Sequence, residues 1–309
     1  MKVLPAWAAL ILAGLGGVAS AAQSAANAEL GDRVGHPAVG AVVNNLGGSL
    51  LVLVGLSVLP SMRTGLGQLR RSGLPWWAYL GGLGGAAIVI VATYVVPVLG
   101  VAVFTIAQVA GNSVGGLSVD RAGLSPVGRL ALTGPRIAGA ALGVGAVALA
   151  QVGRPVGDLG LGLVLLAVAG GVAVALQAAL NGRVSAAGTM AAGTAVNFAV
   201  STPVVIVAAL VLGALDVLPD ATWPADWYLY LGGALGVCIV VTLLIGVRSV
   251  GVFRTGLAVV AGQLGGALLL DVVRPAGPGV GLPVLAGTLL TLLAVVVSGR
   301  AIRPAPAGT

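Results

Sequence analysis

The chain has 309 residues, of which 58% are hydrophobic and only 7% charged, with a mean hydropathy of +1.11. Fifteen basic and eight acidic side chains cannot cover the water-facing surface of a soluble 29.9 kDa protein, and the same composition excludes disorder. A net charge of +7 without a basic cluster argues against nucleic acid as a partner. A polytopic membrane protein remains, with the lipid bilayer as its first partner.

Apolar runs bounded by charges, Pro or Gly predict ten spanning helices in chain order. They cover residues 3–26, 38–60, 77–96, 100–118, 131–151, 159–180, 188–213, 228–246, 252–270 and 281–299. The first resembles a signal peptide: Lys2, an apolar stretch, then small residues at 19–22. An internal repeat argues against its removal. Gly17, Val18, Ala19, Ala21, Gln23, Ala25 and Asn27 recur as Gly171, Val172, Ala173, Ala175, Gln177, Ala179 and Asn181. Val43-Asn44 recurs as Val196-Asn197. Trp76, Tyr79 to Gly82 and Gly85 recur as Trp227, Tyr230 to Gly233 and Gly236. Gly100-Val101, Gly111, Gly115 and Asp120 recur as Gly251-Val252, Gly262, Gly266 and Asp271. The expected units are residues 1–155 and 156–309. Five spans is an odd number, so the second unit must enter from the opposite side. The expected fold is therefore all-α, two inverted five-helix repeats.

Loop charges agree with that count. One side would hold Lys2, Arg63, Arg70, Arg71, Arg121, Arg129, Arg136, Arg183, Arg248, Arg254, Arg300 and Arg303, and the other only Arg33, Arg154 and Arg274. All the acids except Asp120 fall on the second side. Lys/Arg excess marks the cytoplasm, so both termini are expected inside.

No apolar run contains a clear Asp, Glu, Lys or His in its interior, and no hydrolase, P-loop or zinc motif is present. The chain reads as a non-enzyme without cofactor or metal. Its one cysteine, Cys238, reads as a small hydrophobe, and its one histidine, His36, as a solvated loop side chain. Charges near helix ends, among them Glu29, Asp120 and Asp271, read as solvated caps or surface anchors.

Amides are the polar groups inside the runs. Gln23 and Asn27 are spaced i, i+4 on the first helix, Gln177 and Asn181 repeat them on the sixth, Asn44 and Asn45 lie on the second, and Asn197 lies on the seventh. Gln108 and Asn112 lie on the fourth, Gln151 closes the fifth, and Gln263 lies on the ninth. An amide in hydrocarbon is costly unless hydrogen-bonded. These side chains either join helices or line a site for a neutral polar solute. The candidate substrate-binding set is Gln23, Asn27, Asn44, Asn112, Gln177, Asn181, Asn197 and Gln263, with the six on the first two helices of each unit converging near mid-membrane. Gly81 to Gly85, Gly111 to Gly115, Gly232 to Gly236 and Gly262 to Gly266 are small-xxx-small patterns that allow close helix approach.

Leu80-Gly81-Gly82-x-x-Gly85 after an aromatic pair, its copy Leu231 to Gly236, Ala110-Gly111-Asn112 with Ala261-Gly262-Gln263, and the terminal acids Asp120 and Asp271 resemble the YdcZ-type family of the drug/metabolite transporter superfamily. The first half carries Asn112 where that family's pattern has Gln. The resemblance implies an inner-membrane exporter, in the form with two fused five-helix units. The small multidrug exporters of the superfamily have a Glu inside their first helix; here that helix offers Gln23 and Asn27, with Glu29 at its end. The expected function is export of a small organic solute by alternating access. A passive channel and a membrane scaffold are the alternatives, and homo-oligomerisation stays open.

Overall fold

A computed structural model describes residues 4–124, 129, 131–150, 152, 158–274 and 280–299. Gln151, Arg154, Lys2, Arg300 and Arg303 lie outside these residues. The described backbone is helical, with no strand. The first half contains α1 (Ala6–Val34), α2 (Pro37–Val58), α3 (Pro60–Leu69), α4 (Gly82–Leu99), α5 (Val101–Ala122) and α6 (Gly134–Ala150). The second contains α7 (Asp158–Ala187), α8 (Met190–Val211), the four-residue α9 (Ala214–Val217), α10 (Gly232–Val273) and α11 (Leu282–Gly299). Short 3-10 turns, Trp76–Gly81 and Trp227–Tyr230, lead into α4 and α10. Among the described residues, six helices are long and apolar enough to cross a membrane: α1, α2, Trp76–Leu99, α5, Gly160–Ala187 and α8. Shorter apolar helices run over Gly134–Ala150, Ala258–Val273 and Leu282–Ala294.

Local sequence explains the boundaries. Pro37 and Pro60 open α2 and α3 at the first helical position, where a missing N–H costs nothing. Gly35 and Gly123 close α1 and α5 with φ of +96° and +72°, conformations that favour glycine. His36 is not a free loop side chain. It caps α2 by accepting from Ala38 N–H at 3.3 Å on Nδ1, while Nε2 reaches the Leu212 carbonyl beyond α8 at 2.9 Å. Its repeat counterpart Thr189 accepts from Ala192 N–H at the start of α8 and donates to the Ser61 carbonyl in α3. The amphipathic α3 was not expected. Pro60 ends the α2 run, and the ten residues from Pro60 to Leu69 are too polar to extend it.

Packing inverts the pattern of a soluble helix. Along α1, Trp7, Ile11, Leu15 and Val18 are exposed, whereas Ala9, Ala13, Gly16, Gly17 and Ala21 are buried. Hydrocarbon gives large apolar side chains no reason to hide, so small residues mark the faces where backbones approach. A Cβ on Gly17 would overlap the Val259 carbonyl, and one on Gly262 would overlap the Gly14 carbonyl. Equivalent overlaps hold Gly171 against Gln108 and Gly111 against Val168. The first helix of each half is thus wedged against the other half, α1 against α10 and α7 against α4 and α5.

The same contacts show that α10 is a hairpin. A straight helix of 42 residues would be about 63 Å long. Yet Gly232 meets Asn27, Gly236 meets Gln23 and Gly16 meets Thr242, running antiparallel to α1. Then Gly14 meets Ala258, Gly17 meets Val259 and Gly266 meets Val18, running parallel to it. The chain reverses between Thr242 and Ala258. In the first half, Gly100 (φ +83°) makes the corresponding break between α4 and α5.

Candidate transport path and its latches

The amides form separate clusters. In one, Gln23 donates to Asn44 Oδ1 at 3.1 Å and to the Gly232 carbonyl at 2.8 Å, and a Cβ on Gly232 would meet Asn27 Oδ1 and Asn44 Oδ1. In the other, Asn197 Oδ1 accepts from Gln177 at 2.9 Å and from Asn181 at 2.8 Å, beside Gly81 and Gly85. Each cluster joins both halves. They lie at different depths, since the first is near the end of α1 and the start of α2, and the second near the end of α7 and the start of α8. Between them α2 and α8 cross, where Ser49 and Thr202, themselves repeat counterparts, are 2.7 Å apart and Ser201 donates to Asn45 Oδ1 at 3.0 Å. Gln263 donates to Gln108 Oε1 at 3.0 Å, tying α10 to α5. Asn112 is exposed on α5 and joins neither cluster.

A cavity of about 850 Å3 opens on a different face of α1. Ala22, Ala25, Ala26 and Glu29 line it from α1, Pro97 and Val101 from the α4–α5 joint, and Leu235, Leu270 and Val273 from both arms of α10. Ala22 and Ala26 stand where the second half has Leu176 and Leu180, of which Leu180 is buried and Leu176 exposed. The body of the cavity is apolar; its mouth is charged.

At that mouth Glu29 pairs with Arg33, one turn on, and lies 3.9 Å from Arg274. Arg33 also pairs with Asp226. Tyr228 accepts from Arg274 at 2.6 Å and donates to Glu29 at 3.4 Å, and the Arg274 guanidinium lies 5.1 Å above the Tyr228 ring. The bond to Tyr228 and the electrostatic effect of Tyr228, then the charge of Glu29, raise the Arg274 pKa above its ordinary value. Below the mouth, Asp271 is buried and accepts from the Val101 and Ala102 N–H groups at 2.9 and 2.8 Å. It therefore caps the positive end of α5, and a Cβ on Gly100 would crowd it.

Asp271 corrects the expectation of a solvated end. The signal was Gly100, which breaks the helix and frees the two N–H groups. The counterpart Asp120 instead pairs with Arg136 at the start of α6. At that end of the bundle Arg183 donates to the Leu124 and Gly123 carbonyls at 2.7 and 2.6 Å, with its guanidinium 5.1 Å from the Trp77 ring. Sequence reasoning passed over Tyr228 and the cavity face of α1, and read Arg274 only as a loop charge able to pair locally with Asp271; it meets Tyr228 and Glu29. Among the described residues no group of three or more His, Cys, Asp or Glu side chains could hold a metal ion. Cys238 is exposed.

No curated protein matches the chain. A family model described as "Putative inner membrane exporter, YdcZ" matches it twice, over residues 8–149 and 162–298. Those segments carry the repeated helices, the exchanged glycine contacts and both amide clusters, so the chain belongs to the YdcZ family of inner-membrane exporters in its fused, double-unit form.

Proposed function

We propose that the protein exports a small organic solute by alternating access. It would cross the membrane ten times as two inverted five-helix units, residues 1–155 and 156–309, with both termini in the cytoplasm. The six long apolar helices, the three shorter ones and the first arm of α10 supply ten segments for that count. The cavity is the observation that carries the reading. It lies between elements of both halves, the usual place for a substrate in repeat-built transporters. Its size and apolar wall suit a drug-sized or smaller molecule. The solute would enter or leave past Glu29, Tyr228 and Arg274, at the extracytoplasmic end. The amides of Gln23, Asn27, Asn44, Gln177, Asn181 and Asn197, with Gln263 and Asn112, are the neutral polar groups proposed to meet it along the interface. In this conformation most of these amides are bonded to one another or to backbone, so the solute would fill the cavity first.

The test is counterflow in proteoliposomes. Vesicles preloaded with unlabelled solute from a panel of metabolite classes should accumulate labelled solute transiently, with saturation and competition. Flux that rises linearly with concentration would make the protein a channel. Absence of flux across the panel, with no melting shift on adding any solute, would leave a scaffold.

A further inference from the structure

Three repeat-related positions meet at each end of the bundle. Glu29, Tyr228 and Arg274 correspond to Arg183, Trp77 and Gly123 at offsets of 154, 151 and 151. Both groups tie the same three elements together: the end of the first helix of one half, and the aromatic turn and fourth-helix end of the other. In both a guanidinium lies 5.1 Å from the aromatic ring. The arginine has changed places within the triad. It stands on the first helix at one end (Arg183) and after the fourth at the other (Arg274). One shared contact could be chance; the same triad built twice from different residues indicates a shared job.

The two closures differ in strength. Arg183 is half-buried and holds two carbonyls at the negative end of α5, charge-assisted bonds that also complement the helix dipole. The Arg274 side chain is 60% exposed, bonds one hydroxyl and stands 3.9 Å from Glu29, at the rim of the cavity. Exposed pairs of this kind hold weakly.

We propose that these triads are the two gates of the transport cycle. The Arg183–Trp77 latch shuts the cytoplasmic end while the weaker Glu29–Tyr228–Arg274 latch lies at the rim of the open cavity. Exchanging the conformations of the halves reverses which is shut. The proposal rests on the alternating-access reading above. Arg183 and Arg274 are positioning residues in it, setting which end is open.

The experiment reads accessibility in a Cys238→Ser background. Ala26→Cys reports the cavity, and Leu180→Cys reports its counterpart position. A membrane-impermeant maleimide is applied to each side of oriented vesicles. In Arg183→Ala, labelling of Leu180→Cys from the cytoplasmic side should rise about tenfold and labelling of Ala26→Cys from the opposite side should fall, as a shifted two-state population requires. Arg274→Ala should move the two sites in the reverse sense, and Arg183→Lys should fall between wild type and Arg183→Ala. If Arg183→Ala does not purify as a monodisperse species, Trp77→Leu removes the ring, leaves the carbonyl bonds, and is read in the same way. Labelling that rises at both sites together, or moves at neither, overturns the gates. The readout needs no solute. Reciprocal labelling without counterflow would keep the gates and sink the transport reading, whereas counterflow with unmoved labelling would do the opposite.

Discussion

Asn197 accepts two hydrogen bonds, from Gln177 and Asn181, where its counterpart Asn44 accepts one, from Gln23. The difference matters because a buried donor that loses its acceptor costs about 1–3 kcal/mol. Asn197→Leu strands two partly buried donors. Asn44→Leu strands none completely, because Gln23 keeps its bond to the Gly232 carbonyl. The expected outcome is a loss of roughly 2–4 kcal/mol for Asn197→Leu and about 1 kcal/mol or less for Asn44→Leu, read as detergent melting temperatures of the two variants. Equal melting temperatures would show that the clusters carry no such asymmetry. The sequence supplied the pairing of amides by repeat, but not which oxygen is shared. That depends on side-chain geometry across helices far apart in the chain.

At the scale of the element, legibility depends on what the bilayer rewards. Long apolar runs set the helices, so α2, α5, α8 and α11 begin and end within a few residues of where the runs do. Helix rotation was less legible, because lipid and protein interior are both apolar and a span carries little amphipathic signal. Gln23 and Asn27 therefore drew attention to one face of α1, while the cavity lies along Ala22, Ala25, Ala26 and Glu29 on another. Small residues mark the packed side: Gly16, Gly17 and Ala21 are buried against α10. The α10 hairpin is a further case. Hydropathy predicts separate runs ending at 246 and starting at 252; the backbone stays helical through the turn, and only contacts with α1 reveal the reversal. Arg248 and Arg254 fall within the stretch where the chain reverses, which the charge rule puts in the cytoplasm. Ser249→Cys in the Cys238→Ser protein should therefore resist an impermeant maleimide on intact cells and react once the membrane is permeabilised. Labelling on intact cells would remove the hairpin and with it the ten-crossing count.

For the whole molecule, the repeat contacts matter more than the repeat itself. Two fused units could pack side by side, each around its own core, and the sequence alone allows that. Here α1 is wedged against both arms of α10, and α7 lies against α4 and α5, with glycines that leave no room for a Cβ. Asp271 in the second half caps α5 in the first, and Arg183 in the second holds the end of the same helix. Each half therefore completes the other. Cutting the chain after residue 155 tests this. Residues 1–155 expressed alone would expose Gly14, Gly17, Gly111 and the uncapped start of α5, so neither half alone should accumulate as a stable monomer. Co-expressed, the two should purify together with a melting temperature near that of the intact chain, since the cut removes only the tether and not the exchanged contacts. A first half that is monomeric and as stable alone as in the pair would mean that the crossings between halves add little, and that each unit folds around a core of its own.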